Sequence, residues 1–117
     1  MNQIKIYIAG KYTGLPHDEA YTKFALTKMQ LMIAGFDEQN IVNPMQLGIA
    51  PETDWHEAMH ICMSKLRECK AIYIQSDWRD SFGARKEIKL AATLQLPMYW
   101  EELGDMSLIA ELIATGV

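Results

Sequence analysis

One stretch constrains the fold of this chain more than any other: IYIQSDWRDSFGARKEIKLAATLQL at residues 72–96. A short apolar strand, Ala71 to Ile74, runs into a polar loop, Gln75 to Ser81, and then into a helical pattern of about a dozen residues. That is the strand-loop-helix unit of a parallel α/β sheet, and it draws the rest of the chain into the same class. Ser81 stands where an N-cap belongs. At about 100° per residue the apolar arc of the helix collects Ala84, Ile88, Ala91, Ala92, Leu94 and Gln95, and Glu87 falls between Leu94 and Ala91. The charges of Arg85, Lys86 and Lys89 lie on the far side or its border. One carboxylate therefore points inward near a helix N-terminus, where desolvation is costly unless a partner or a ligand compensates.

The other segments read as the same kind of unit. Ile4 to Ala9 forms a first strand with Ile4, Ile6 and Ile8 on one face and Tyr7 on the other. A helix from about Asp18 to Ala34 follows, stopped by Gly35, with Phe24, Leu26, Met29, Leu31, Met32 and Ile33 as core positions. Ile41-Val42 is a minimal second strand ended by Asn43-Pro44, and Met45 to Asp54 is a long connection of the kind that often binds ligands. Thr53 or Asp54 caps a second helix running to about Cys69. Pro97 to Trp100 reads as a fourth strand and Asp105 to Ala114 as a closing helix.

With 117 residues, 1–117 is one domain. A net charge of −4 argues against a duplex nucleic acid as partner. No run approaches the roughly 18 apolar residues of a membrane span and no leader pattern opens the chain, so no membrane partner and a cytoplasmic location are expected. Cys62 and Cys69 lie on one predicted helix, a rise of roughly 10 Å apart, which forbids a bridge between them and points to free buried thiols. His56-Glu57-Ala58-Met59-His60 matches a zinc-hydrolase pattern. On the helical wheel, however, both histidines border the solvated face beside Arg67, with no evident third ligand, so no metal and no cofactor are expected and a zinc hydrolase stands as the minor alternative.

Where the sheet order reverses, between strands one and three, an open parallel sheet forms its ligand crevice. An order 2-1-3-4 would set the loop Gly10-Lys11-Tyr12-Thr13-Gly14 opposite the loop from Ser76 to Gly83. Tyr7, Asp77, Asp80 and Glu87 would then converge as catalytic candidates. Gly10, Lys11, Tyr12, Thr13, Trp78, Ser81, Gly83 and Arg85 would serve as binding candidates. Blander roles stand beside these: Tyr7 as a packed strand residue, Asp77 and Asp80 as turn formers, Trp78 as a loop anchor, Arg85 in solvent. A carboxylate beside an anomeric carbon, with neighbouring acids, is the equipment for glycosidic bond cleavage; plain nucleotide binding is the other use of such a crevice.

The segments Tyr7-Ile8-Ala9-Gly10, Asn43-Pro44, Leu66 to Cys69, Ile72-Tyr73-Ile74 and D-W-R-D-S-F-G-A-R-K-E at 77–87 together resemble the nucleoside 2-deoxyribosyltransferase superfamily, over about residues 4 to 100. The chain is most similar to a short branch frequent in phages and bacteria. The resemblance implies a flavodoxin-like (Rossmann-like) three-layer α/β sandwich with a four- or five-stranded, mainly parallel sheet. It implies a homodimer and a small-molecule nucleoside or nucleotide substrate. It also implies Glu87 as the nucleophile at C1′ of a 2-deoxyribose, with Tyr7 beside it. For the 5′-monophosphate, Ser81 and the loop after strand one would hold the phosphate. The chain departs from the family's pattern at Cys62, where a catalytic aspartate is usual, and at Lys70, where another acid is usual. Asp77 or Asp80 would have to substitute, or the chain binds a nucleotide without chemistry.

Overall fold

The computed structural model describes residues 4–115. Four strands, β1 (Ile6–Ala9), β2 (Ile41–Val42), β3 (Ala71–Ile74) and β4 (Met98–Trp100), form one sheet in the order β2-β1-β3-β4. Every pairing is parallel, with Ile6 opposite Ile41 and Ala71, and Ile72 opposite Met98. All eight residues of the two central strands are buried, as the near-continuous apolar runs IYIA and AIYI require of strands covered on both faces. The sheet is thus four-stranded and wholly parallel among the described residues.

Helices α1 (His17–Ala34) and α4 (Asp105–Ala114) cover one face, and α2 (Trp55–Arg67) and α3 (Phe82–Thr93) the other. The result is a Rossmann-like three-layer fold. Strand alternation decides which side chain meets which layer. Ile6, Ile8, Ala71 and Tyr73 pack with Phe24, Leu31 and Ile109, whereas Tyr7, Ala9, Ile72 and Ile74 pack with Cys62, Leu66, Leu90 and Ala91. Tyr7 is thereby committed to the layer that carries Glu87.

The helix ends obey local chemistry. The Asp54 carboxylate accepts the backbone N–H groups of His56 and Glu57 at 3.0 and 3.3 Å, and Ser81 Oγ accepts Ala84 N–H at 3.0 Å. Gly35 ends α1 at φ 127° and lies so close to Ile113 that a Cβ there would stand 2.7 Å from its Cγ2, so conformation and packing both demand glycine. No helix among the described residues is long and apolar enough to cross a membrane.

Two expectations need correction. On α1 only Ala20, Phe24, Thr27 and Leu31 are buried; Leu26, Met29, Met32 and Ile33, expected in the core, face outward, Ile33 at 79% exposure. Helix one is apolar on two faces, so periodicity alone does not say which one meets the sheet. On α3 the buried set is Ala84, Glu87, Leu90 and Ala91, and Leu94 and Ala92 are exposed. The inward face is rotated from the apolar centroid so that Glu87 sits at its middle rather than near its edge.

Candidate functional site

At the carboxyl edge of the sheet the loop after β1 and the loop after β3 leave the two central strands at the point where the strand order reverses. Glu87, one turn into α3, is 4% exposed and accepts the Tyr7 hydroxyl at 2.5 Å through Oε2. Burial pushes its carboxyl up to about 8, against the pull of the Tyr7 hydrogen bond, which favours the charged form. Burial first, and the neighbouring Glu87 next, hold the Tyr7 phenol well above its ordinary range. The third member is Cys62 of α2, fully buried, free, and in contact with the hydroxyls of Tyr7 and Tyr12. Burial and the Glu87 charge push this thiol up to about 11, so at neutral pH it is a protonated thiol and not a nucleophile.

A cavity of about 410 Å³ opens beside this group. Tyr12 and Thr13 form one wall, His17 and Ala20 of α1 another, and Trp55 and Ala58 of α2 a third. The 3-10 turn at Pro44 and the connection through Ile49 to Thr53 close it. Tyr7, Cys62 and Glu87 are not among the residues that line the cavity; Tyr12, which bonds to the Cys62 thiol, and Ala58, one helical turn before Cys62, stand between. Burial pushes the Tyr12 phenol up to about 12, which leaves it a neutral donor. At the rim, Trp55 stacks on the exposed Phe82 ring, centroids 5.5 Å apart and 23° between planes, and the cations of Lys86 and Arg85 lie over Phe82.

The sequence-derived residues divide. Tyr7 and Glu87 meet directly, and Tyr12 and Thr13 line the cavity. Gly10 is a packing glycine: a Cβ would come 1.9 Å from Gln75 Oε1. Gly83 lets α3 approach α2, with Met59 Sδ 3.0 Å from where a Cβ would be. Ser81 caps α3. Lys11 offers its backbone N–H to Asp77 Oδ1 at 3.1 Å, and the second Asp77 oxygen pairs with Lys23 at 2.9 Å, so that carboxylate is engaged away from Glu87. Asp80 is exposed in the 3-10 turn at 78–80, and Arg85 is exposed beside Phe82. Trp78 anchors its loop: it packs edge-on against Trp100 at 5.5 Å and donates to Glu102 at 3.3 Å, while Arg79 lies over its ring.

Sequence reasoning missed Lys23, His17 and Gln75. Each is an isolated polar residue whose role depends on what the fold brings to it. It also missed the pairing of Trp55 with Phe82, which have no local spacing to reveal them. His56 and His60 are both exposed, and among the described residues no three His, Cys, Asp or Glu side chains gather as a metal ion would need.

No curated protein and no solved structure matches the chain. One family model does, over residues 4–100, which include all four strands, Tyr7, Cys62 and Glu87. The chain belongs to that family, described as a domain of unknown function, DUF4406.

Proposed function

We propose that this chain cleaves or transfers the N-glycosidic bond of a 2-deoxynucleoside or its 5′-monophosphate, with Glu87 as nucleophile. The observation that carries the reading is the buried Glu87 carboxyl, hydrogen-bonded by Tyr7 and separated by Tyr12 from a cavity that the loop after β1 lines. With burial holding its carboxyl up to about 8, Glu87 is nucleophilic only in its ionised fraction, which grows as pH rises toward 8. In the proposed step the Glu87 carboxylate attacks C1′ through an oxocarbenium-like transition state as the bond to the base breaks. Water or a second base then releases the sugar from the ester. Tyr7 orients the attacking oxygen. Asp77 is tied to Lys11 and Lys23, so of the two acids expected to assist, Asp80 is the one left without such ties.

One observation favours a second reading, a nucleotide-binding module without turnover: Cys62, a neutral thiol, occupies the place beside Glu87 where a second carboxylate would assist. Incubation with each deoxynucleoside and deoxynucleoside 5′-monophosphate, with and without a free second base, separates the two. Released or exchanged base supports the glycosidic reading. Thermal stabilisation by a nucleotide with no product supports the binding module. In either case the partner protein we propose is a second copy of the chain, docking on the exposed face formed by Met29, Met32 and Ile33. Light scattering on Ile33→Glu is the check, with a monomer expected.

A further inference from the structure

We infer that Asp77 is a positioning residue which, with Lys23 and Gln75, clamps the backbone after β1 and so holds Tyr12 and Thr13 in place as a fixed wall of the cavity. The inference rests on the glycosidic reading for what the wall serves; the clamp itself is read from contacts.

Three consecutive residues of the first loop are held from the β3 side. Ala9 O accepts the Gln75 backbone N–H at 2.8 Å. Gly10 packs against the Gln75 side chain too closely to carry a Cβ. Lys11 N–H donates to Asp77 Oδ1 at 3.1 Å. These holding groups are themselves held. Lys23 Nζ donates to Asp77 Oδ2 at 2.9 Å and to Gln75 Oε1 at 2.6 Å, and Gln75 Nε2 donates to Thr27 Oγ1 at 2.9 Å. Gln75 is 1% exposed, so its amide has little access to water and its geometry is fixed by these bonds.

The residue after Lys11 is Tyr12, braced edge-on by Phe24 with centroids 6.5 Å apart, and the turn closes through Leu15 N–H to Tyr12 O at 3.1 Å. Tyr12 and Thr13 are thus carried into the cavity on a backbone pinned immediately upstream. A carboxylate whose two oxygens bind a backbone amide and an ammonium is poorly disposed to deliver a proton. It is also turned toward α1, whereas Glu87 projects from α3. Both features assign Asp77 to holding the wall and not to the chemistry.

The test compares Asp77→Ala and Asp77→Asn in the full chain by amide hydrogen exchange and by steady-state base release. In Asp77→Ala the Lys11 amide should exchange about tenfold faster, as for loss of one ordinary hydrogen bond, while the Ile8 and Tyr73 amides keep their protection. KM for whichever deoxynucleotide the wild type consumes should rise about tenfold with kcat within about twofold. Asp77→Asn keeps an oxygen for the Lys11 N–H and should recover most of both effects. Unchanged Lys11 exchange in Asp77→Ala overturns the clamp. So does a fall in kcat at constant KM, which would make Asp77 the proton donor. If Asp77→Ala does not fold, Lys23→Met replaces it, with the same Lys11 readout and a smaller expected change. If the wild type consumes no substrate, the glycosidic reading fails by itself, and Lys11 exchange together with the Tyr12 and Thr13 resonances still decides the clamp.

Discussion

Two polar groups flank the same edge of the sheet, and they are built on opposite principles. On the α1 side, Gln75, Lys23, Asp77 and Thr27 answer one another with a bond for nearly every donor and acceptor, and the group is spent on holding backbone. On the α3 side Glu87 has one hydrogen bond from Tyr7 and a thiol for a neighbour, and burial leaves its carboxyl at about 8. A saturated network is stable and inert, whereas an under-compensated acid is costly and reactive. The contrast puts the chemistry we propose on one side of this sheet edge and the architecture on the other.

The sharpest way to break this comparison is pH. Below about 4.5 Glu87 is protonated in both folded and unfolded chains, and its contribution to stability is fully present. Between about 4.5 and 8 the unfolded chain ionises while the folded one keeps its proton, so stability falls as pH rises. The integrated loss is on the order of 5 kcal/mol and levels off above about pH 8. Urea denaturation at a series of pH values should reveal this slope in the wild type and a flatter one in Glu87→Gln. Reactivity should run the other way, with kcat/KM climbing toward pH 8 as the carboxylate forms.

Tyr7→Phe comes next in size. Removing the donor leaves the carboxylate with less compensation, so base release should fall by roughly 10²-fold, and the rising limb of the pH profile should move to higher pH. A profile that keeps its midpoint would separate Tyr7 from Glu87. On the inert side, Gly10→Ala drives a Cβ into Gln75, and its cost should be about 2 kcal/mol in denaturant midpoint without any new pH dependence. A pH-dependent loss there would mean that the two groups are coupled.

How much of this was legible in the sequence follows from range. The strand at Ala71–Ile74, the Ser81 and Asp54 caps, the Gly35 stop and the closing helix are local signals, and each lies where its own residues place it. Glu87 was legible because a charge on an inward arc is anomalous wherever the arc is centred. The α1 face was not, because two apolar faces on one helix are resolved only by the sheet beneath and by whatever covers the outside. Asp77 illustrates the other limit. An aspartate in a loop beside a crevice reads as an acid until Lys23, 54 positions earlier, is brought to 2.9 Å by the fold.

The central claim is that Glu87 bonds to C1′. Its direct measurement is acid-quench mass spectrometry of wild type and Glu87→Gln during turnover of a deoxynucleotide. The account predicts a deoxyribosyl ester on the peptide containing Glu87 in the wild type, and neither adduct nor base release in the variant. Base release that persists in Glu87→Gln, or an adduct on another residue, would contradict it.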